Sequence, residues 1–166
     1  MPTHYKGSAE EVRALNALIP LMRAGASIGA RTSAHFESLG LTRGQFGVLE
    51  ALLHLGPLCQ HELGEKLLNS GGNVTLLVDN LEKKGWVKRE RLKHDRRMLR
   101  VNLTPEGRRL IQRIFPQHLA QVVLEFARLT AAEQDELRRL CRKLGTGRTA
   151  ARNRRTGGKH DSDSNE

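Results

Sequence analysis

The sequence predicts a mainly helical fold with one small β-hairpin, and three observations support this prediction. Apolar residues recur at spacings of three and four along most of the 166 residues, which is the period of an amphipathic helix. The period shortens to two over only two short stretches, residues 86–91 and 98–103, with a polar loop between them. Aromatic residues make up only 4% of the chain, so the core has to rest on aliphatic side chains along helix faces.

The first predicted helix is long and lies near the N-terminus. Ser8 can cap a helix that starts at Ala9, and apolar or small residues then line one face as far as Gly40. The small residues on this face would let another element approach closely. Pro20 removes one backbone donor, so we expect it to kink or restart the helix.

Two shorter helices are predicted next. Thr42 and Gln45 form a capping box, and Gly56-Pro57 ends the helix that they begin. A third helix covers about residues 60–68, with Cys59 at its cap position. Each of these helices has one apolar stripe, which predicts one face directed at a core.

A turn at residues 69–72 leads into a fourth helix that extends to about Lys84. One face of this helix is apolar, and the other faces carry mostly short polar side chains. Gly85 is a natural terminating residue, since glycine adopts the left-handed backbone conformation without strain. Two short helices joined by a tight turn predict a helix-turn-helix, whose second helix normally lies in the major groove of DNA.

The hairpin follows the fourth helix directly, and its loop, residues 92–97, is rich in positive charge. A basic hairpin tip at this place can enter the narrow minor groove, which predicts a DNA-binding wing. Asp95 lies two residues before Arg97 and can orient its guanidinium. The structural alternative for this loop is a solvated charged turn.

Two helices are predicted after the hairpin. Thr104-Pro105 supplies a capping hydroxyl and a proline at the first helical position, and Pro116 is expected to bend the long helix that follows. Thr130 and Glu133 form a capping box for the last helix, which Gly145 ends. The remaining residues are mostly small, polar or charged, which predicts a disordered tail.

These elements divide the chain into four parts. They are an N-terminal dimerisation helix, residues 1–40; a winged helix-turn-helix lobe that binds DNA, residues 41–104; C-terminal dimerisation helices, residues 105–145; and a disordered basic and acidic tail, residues 146–166. The outer helices carry apolar stripes too extensive for one winged lobe to cover, and such stripes usually mark a partner surface. A homodimer is therefore expected, and its two-fold axis would match palindromic DNA.

The charge of the chain favours a polyanionic partner. Lys and Arg number 28 against 18 Asp and Glu, and most of the net charge of +10 lies before residue 146. A basic domain suggests nucleic acid first and an acidic membrane second, with a solubilising surface as the alternative, and the helix-turn-helix makes double-stranded DNA the expected partner. The sequence has no membrane-spanning apolar run and no signal-peptide pattern, so we expect a cytoplasmic, nucleoid-associated protein without a membrane partner.

The expected DNA contacts lie around the fourth helix and in the hairpin loop. Asn73 can read an adenine edge, while Thr75 and Leu76 can contact a thymine methyl group or a phosphate. Backbone amides at the start of the helix can bind a phosphate. The predicted contact residues are Ser70, Gly71, Asn73, Thr75, Leu76, Asn80, Lys83, Lys93, Asp95, Arg96 and Arg97.

Several segments resemble the MarR (multiple antibiotic resistance regulator) family: residues 41–50, residues 71–75, the Asp-x-Arg of residues 95–97 and the Leu-Thr-x-x-Gly of residues 103–107. The resemblance implies a homodimer whose first and last helices interlock, with one recognition helix and one wing on each half-site of a palindromic operator. It also implies that Arg97 and Asp95 are the wing pair. Family members are often repressors released by small phenolic or other aromatic ligands, which bind between the dimer helices and the DNA-binding lobe.

A ligand cleft of this kind would be lined by apolar residues with histidines as polar handles. Core or dimer packing is the alternative for each residue. No cysteine or acidic cluster at metal spacing accompanies the histidines, so neither a metal nor another cofactor is expected. The candidate ligand-binding residues are Met22, Ala26, His35, Phe36, Phe46, Leu53 and His54.

The two cysteines do not form a disulfide framework. Cys59 is a candidate for a redox response, because a thiol at a helix N-cap feels the positive end of the helix dipole. It can equally be a capping substitute for a small hydroxyl residue. Cys141 lies on the apolar stripe of the last helix, where we expect it to be buried and inert.

A non-specific architectural DNA-binding protein would also explain the charge and the basic tail. The base-reading side chains of the fourth helix argue against it, since they include more than lysine and arginine. An enzyme is not expected, because the sequence has no phosphate loop, dinucleotide fingerprint, paired metal motif or nucleophile elbow.

Overall fold

The computed structural model describes residues 3–67, 71–91 and 99–156, and within these ranges it contains six helices and three strands. This confirms the predicted mainly helical fold. The elements are α1 (Ala9–Glu37), α2 (Arg43–Leu55), β1 (Leu58–Cys59), α3 (Gln60–Leu67), α4 (Gly71–Lys83), β2 (Val87–Arg91), β3 (Leu99–Leu103), α5 (Pro105–Phe126) and α6 (Ala131–Thr156). The chain divides into two compact units, residues 1–123 and 124–166, with the boundary inside α5.

The predicted helix starts are confirmed by reciprocal capping boxes. The Ser8 hydroxyl accepts from the Glu11 backbone N–H at 3.2 Å, and the Glu11 carboxylate accepts from the Ser8 backbone N–H at 2.8 Å. Thr42 and Gln45 exchange the same two hydrogen bonds at the start of α2. Each box satisfies two backbone N–H groups that an uncapped helix end would leave to solvent.

Helix α1 continues through Pro20, so the expected restart at this residue is wrong. One proline removes a single backbone donor, and the hydrogen bonds on both sides of it are sufficient to hold so long a helix together.

Glycines with positive φ end three helices as expected, Gly40 for α1, Gly56 for α2 and Gly85 for α4. At the end of α4, Gly85 has φ +71°, its N–H bonds the Glu82 carbonyl at 2.9 Å, and the Trp86 N–H bonds the Leu81 carbonyl at 3.0 Å. This pair of hydrogen bonds is a Schellman motif, and it turns the chain directly from α4 into β2. Gly40, with φ +73°, ends α1 in the same way.

The sheet has three strands rather than the expected two. Its order is β1-β3-β2, with both pairings antiparallel, so the predicted hairpin of β2 and β3 is confirmed and β1 is added to it. Strand β1 is only Leu58 and Cys59, which pair with Val101 and Arg100. Two residues are too few to show a strand period in the sequence.

The last helix differs from its predicted end. It passes Gly145 and continues to Thr156, so the expected termination at Gly145 is wrong. Alanine and arginine, which both favour helix, are frequent in the segment that follows and offset the two glycines at 145 and 147. Cys141 is exposed in the described residues, so its expected burial is wrong.

The start of α6 is capped as predicted. The Thr130 backbone N–H and hydroxyl donate to the Glu133 carboxylate at 2.8 and 2.9 Å. These hydrogen bonds lower the pKa of Glu133. They fix the boundary between α5 and α6 by local contacts alone.

The hydrophobic core lies between the helix-turn-helix, the sheet and the first part of α5. Aliphatic side chains dominate it, as the low aromatic content predicts. Its completely buried members include Leu49 from α2, Leu63 from α3, Val78 from α4, Val101 from β3 and Ile111 from α5. In the described ranges no helix is both long enough and apolar enough to span a membrane.

Candidate nucleic-acid interface

Helix α4 has an apolar face in the core and an opposite face exposed to solvent. Val74, Val78 and Leu81 recur at helical spacing and are completely buried. The face that points away from them carries the predicted contact residues Asn73, Leu76, Asn80 and Lys83, of which Asn80 is half-buried and the others are exposed. The helix is therefore anchored along one side and presents amide, aliphatic and cationic groups along the other, as a groove-binding helix requires.

A third face of α4 binds the hairpin, and the sequence analysis did not identify it. Asp79 and Glu82 lie one turn apart and both pair with the Arg89 guanidinium of β2. The Arg89 backbone N–H also donates to a Glu82 carboxylate oxygen at 3.0 Å. We call these three residues the Arg89 clamp, which joins the recognition helix to the hairpin.

The electrostatics of the clamp favour its charged form. Burial of the guanidinium would by itself lower the pKa of Arg89, but hydrogen bonds and charge from Asp79 and Glu82 outweigh this effect and raise it. The cation is thus held between two carboxylates and does not deprotonate in the accessible pH range.

Thr75 lies on the same side of α4 as the clamp. Its hydroxyl accepts from the Gln60 side chain at 3.2 Å and donates to the Gly71 carbonyl at 3.1 Å. The hydroxyl is therefore engaged within the helix-turn-helix, while its methyl group remains the part available to an apolar contact such as a thymine methyl.

Gly71 and Gly72 are the first residues of α4, not part of the preceding turn as predicted. Both are exposed, and a Cβ at either position would meet none of the described residues within 4 Å. The start of α4 is thus open for the approach of a phosphate to backbone N–H groups. Ser70, predicted to assist there, lies outside the described residues.

The described part of the hairpin stops where the predicted wing contacts begin. Arg91 of β2 pairs with Leu99 of β3, and Arg91 and Arg100 are exposed beside this last pair. The predicted contact residues between the strands, Lys93, Asp95, Arg96 and Arg97, lie outside the described residues.

The base of the hairpin is tied to the end of α4 by the Leu-Thr-x-x-Gly segment. The Thr104 hydroxyl donates to the Gly85 carbonyl at 2.7 Å, and its backbone N–H donates to the Trp86 carbonyl at 3.0 Å. The Gly107 N–H donates to the Thr104 hydroxyl at 3.0 Å. Gly107 packs directly on the Trp86 backbone, where there is no room for a side chain.

Part of the predicted ligand set forms a ring cluster between α1, α2 and α5. Phe36 and Phe46 stack with their centroids 4.3 Å apart, and His118 of α5 lies 4.6 Å from Phe46 and 5.8 Å from His35. His118 was not among the predicted ligand residues, since nothing in its local sequence places it beside the rings of α1 and α2. Its Nδ1 lies 3.1 Å from the Thr32 carbonyl oxygen, an acceptor, so this nitrogen carries the proton.

The other predicted ligand residues do not join this cluster as a group. His54 packs against Phe115 with centroids 4.7 Å apart, and Leu53 is partly buried against the core. Met22 and Ala26 are exposed, and Met22 lies about 20 Å from His35 along the helix axis at 1.5 Å per residue. Phe36 and Phe46 are themselves buried core residues, which favours the packing alternative for both.

Cys59 is buried in β1. Its backbone N–H donates to the Glu62 carboxylate at 2.6 Å, so it occupies the cap position of α3 as predicted. Burial limits the access of an oxidant to the thiol, and a carboxylate rather than a cation lies beside its backbone. Both features favour the capping interpretation over the redox interpretation.

Known proteins share the sequence and the architecture. Residues 41–99 match the model of the MarR family. The chain is 34% identical over 137 residues to the HTH-type transcriptional regulator YkoM of Bacillus subtilis, covering 82% of this chain and 89% of YkoM.

Two solved structures have the same fold. Sco3205, a MarR family transcriptional regulator of Streptomyces coelicolor in complex with DNA, has a TM-score of 0.76 at 24% identity and covers 87% of this chain and 91% of its own. BpsR of Bordetella bronchiseptica, whose DNA binding is regulated by 6-hydroxynicotinic acid, has a TM-score of 0.70 at 24% identity. The match covers 87% of this chain and 98% of the BpsR chain. The described elements are thus those of a winged helix-turn-helix.

Proposed function

Because the chain belongs to the MarR family of transcriptional regulators, we propose that it binds duplex DNA sequence-specifically, with α4 in the major groove and the hairpin in an adjacent minor groove. The observation that carries this proposal is the division of α4 into a buried apolar face and an exposed face bearing Asn73, Leu76 and Lys83. Amide and aliphatic groups on that face can distinguish base pairs, whereas a non-specific binder needs only cations.

The active species we propose is a homodimer on a palindromic operator. Large apolar side chains are exposed on α1, where Leu18, Leu21 and Met22 are 50%, 41% and 64% accessible, and on α6, where Leu140 and Leu144 are 43% and 66% accessible. Such exposure is costly in an isolated chain and supports burial against a second copy. A two-fold pair of recognition helices would then read two half-sites of opposite orientation.

The regulation we propose is repression relieved by a small aromatic effector. The ring cluster of His35, Phe36, Phe46 and His118 supports this, since these rings could move apart and stack on an aromatic ligand placed between them. The Nε2 atom of His35 is buried and has no hydrogen-bond partner within the described residues, which makes it available to an acceptor or donor on the effector. A ligand releases the operator only if it binds the DNA-free conformation more tightly.

Selection of bound fragments from a random duplex library with the full-length protein tests this function. We expect one enriched palindrome, and we expect binding to it to exceed binding to random DNA at every salt concentration. A non-specific architectural protein would enrich no motif and would lose affinity for all sequences equally as salt rises. Equal affinity for selected and random duplexes would therefore contradict the proposal.

Asn73→Ala is expected to relax sequence preference at one base pair of each half-site. Loss of a bidentate amide contact to adenine costs about 1–3 kcal/mol at that position. The measurement is the selected motif of the variant beside that of the parent protein. The other motif positions are the internal control, and an unchanged motif would mean that Asn73 reads no base.

Arg97→Ala is expected to weaken operator binding about 10- to 100-fold and to leave the oligomeric state unchanged, because an arginine in a narrow minor groove contributes about 1–3 kcal/mol. Fluorescence anisotropy with the selected operator measures the affinity, and sedimentation measures the oligomeric state. Arg139→Ala is the matched control, since Arg139 is an exposed cation of α6 paired with Glu136. Parent-like affinity of the Arg97 variant would make the wing assignment wrong.

A further inference from the structure

We propose that Arg89 is a positioning residue, which holds the β2–β3 hairpin at a fixed distance and angle from α4 so that both elements reach DNA in register. This inference rests on the proposed function for its consequence, but the contact itself is a property of the free protein. The feature that carries it is the Arg89 clamp with Asp79 and Glu82.

The clamp constrains more than one degree of freedom. The guanidinium reaches Asp79 with one amino group and Glu82 with the other, and these two carboxylates lie one turn apart on α4. The backbone N–H of Arg89 contacts Glu82 as well, at 3.0 Å. Two side-chain contacts and one main-chain contact together resist sliding of β2 along the helix and rotation about it.

The arginine of the clamp is less exposed than the arginines of the other arginine–carboxylate pairs in the described residues, including Arg43–Glu37 between α2 and α1. Arginine–carboxylate pairs such as Arg139–Glu136 join residues of one helix, and both partners are more than half exposed. Exposed pairs of this kind contribute little. The Arg89 side chain is only 18% exposed and joins two different elements.

The position of the clamp in the hairpin explains why it would matter for DNA. Arg89 pairs across the sheet with the completely buried Val101, and strand β2 ends only two residues later at Arg91. The clamp is therefore a link between β2 and α4 close to the end of the strand. Loss of it would remove this link between the hairpin and the recognition helix.

Arg89 also neutralises charge on the recognition helix. Without its guanidinium, Asp79 and Glu82 would be left unpaired close to the face of α4 that we place on DNA. Repulsion of phosphates would then weaken binding even if the hairpin kept its place. A test of positioning has to separate this electrostatic effect from the geometric one.

Hydrogen–deuterium exchange of the free full-length protein tests the contact directly. In Arg89→Ala we expect the amides of residues 87–91 to exchange about tenfold faster than in the parent, with the amides of α2 unchanged. Lys88→Ala is the matched control, since Lys88 is a cation of the same strand and pairs with Glu90 rather than with α4. Arg89→Lys keeps the charge but replaces the two amino groups of the planar guanidinium with a single donor nitrogen, so this variant should exchange at an intermediate rate and serves if the alanine variant does not fold.

Affinity for DNA tests the consequence. We expect Arg89→Ala to lower the ratio of operator to random-duplex affinity by about tenfold, since specific contacts need both elements in register. Lys88→Ala should lower both affinities together or not at all. The triple variant Arg89→Ala, Asp79→Asn, Glu82→Gln removes the uncompensated carboxylates, and we expect it not to restore the ratio.

The outcomes decide between four cases. Unchanged exchange at residues 87–91 overturns the proposal, as does a parallel loss of both affinities, which a merely stabilising residue would give. Restoration of the ratio by the triple variant also overturns it and assigns the effect to charge. If the parent protein itself does not discriminate between operator and random DNA, the proposed function fails, and the exchange experiment alone decides whether the clamp positions the hairpin.

Discussion

Replacement of Gly107 by alanine is expected to destabilise the fold by about 3 kcal/mol or more, because the new methyl group would overlap backbone rather than a movable side chain. A Cβ at this position would lie 2.7 Å from the Trp86 carbonyl carbon and still closer to its oxygen. The Trp86 carbonyl cannot retreat, since it accepts from the Thr104 N–H, and the Trp86 N–H is held by the Leu81 carbonyl. The end of α4 and the start of α5 would have to separate.

Urea unfolding followed by circular dichroism measures this effect. Gly72→Ala is the matched control, since a Cβ at Gly72, in the first turn of α4, would meet nothing within 4 Å among the described residues. Alanine should raise helix stability there by up to about 1 kcal/mol. If both variants unfolded at the same urea concentration as the parent, the close packing of Gly107 on Trp86 would be refuted.

Phe46→Ala is expected to lower the free energy of unfolding by about 3–5 kcal/mol, the cost of removing a buried aromatic side chain from a core. Phe46 is 3% exposed, stacks on Phe36 at 4.3 Å and contacts the His118 ring at 4.6 Å. The cavity left by the ring would remove contacts of α2 with both α1 and α5. Phe46 therefore contributes to the core whether or not a ligand also reaches it.

The control for this prediction is Leu55→Ala, at the exposed end of the same helix, where the side chain is 54% accessible and little stability should be lost. Both variants are compared by urea unfolding. If Phe46→Ala kept parent stability but lost its response to aromatic compounds, Phe46 would line a pocket and not the core. A loss of stability supports the packing interpretation.

The elements that the sequence predicted well are those with local causes. Capping at Ser8, Thr42 and Thr130 depends on residues three apart, and the turn at Gly85 depends on one residue with positive φ. Each of these can be recognised within a few positions of the chain. The buried face of α4 also has a local cause, because helical spacing alone places Val74, Val78 and Leu81 on one side of the helix.

The features that the sequence did not predict depend on contacts between distant segments. Arg89 and Glu82 come into contact only because the turn at Gly85 folds β2 back along α4, and nothing in their local sequence marks them as partners. His118 joins Phe46 only when α5 crosses α2, and β1 exists only because β3 offers it a pairing edge. The continuation of α6 past Gly145 has a local cause, since the helix-forming residues after Gly145 outweigh the low helix propensity of that one glycine.

The strand order also explains how the protein resists aggregation through the edges of its sheet. With β3 in the centre, the outer strands are β1, which is only two residues long, and β2, whose last four residues are the charged run Lys88 to Arg91. An outer strand normally offers unpaired backbone groups to another chain, and charged or very short strands discourage such aggregation. The charged side chains of β2 thereby protect an exposed hairpin from edge-to-edge polymerisation. Replacing the charged residues 88–91 by apolar residues would remove that protection.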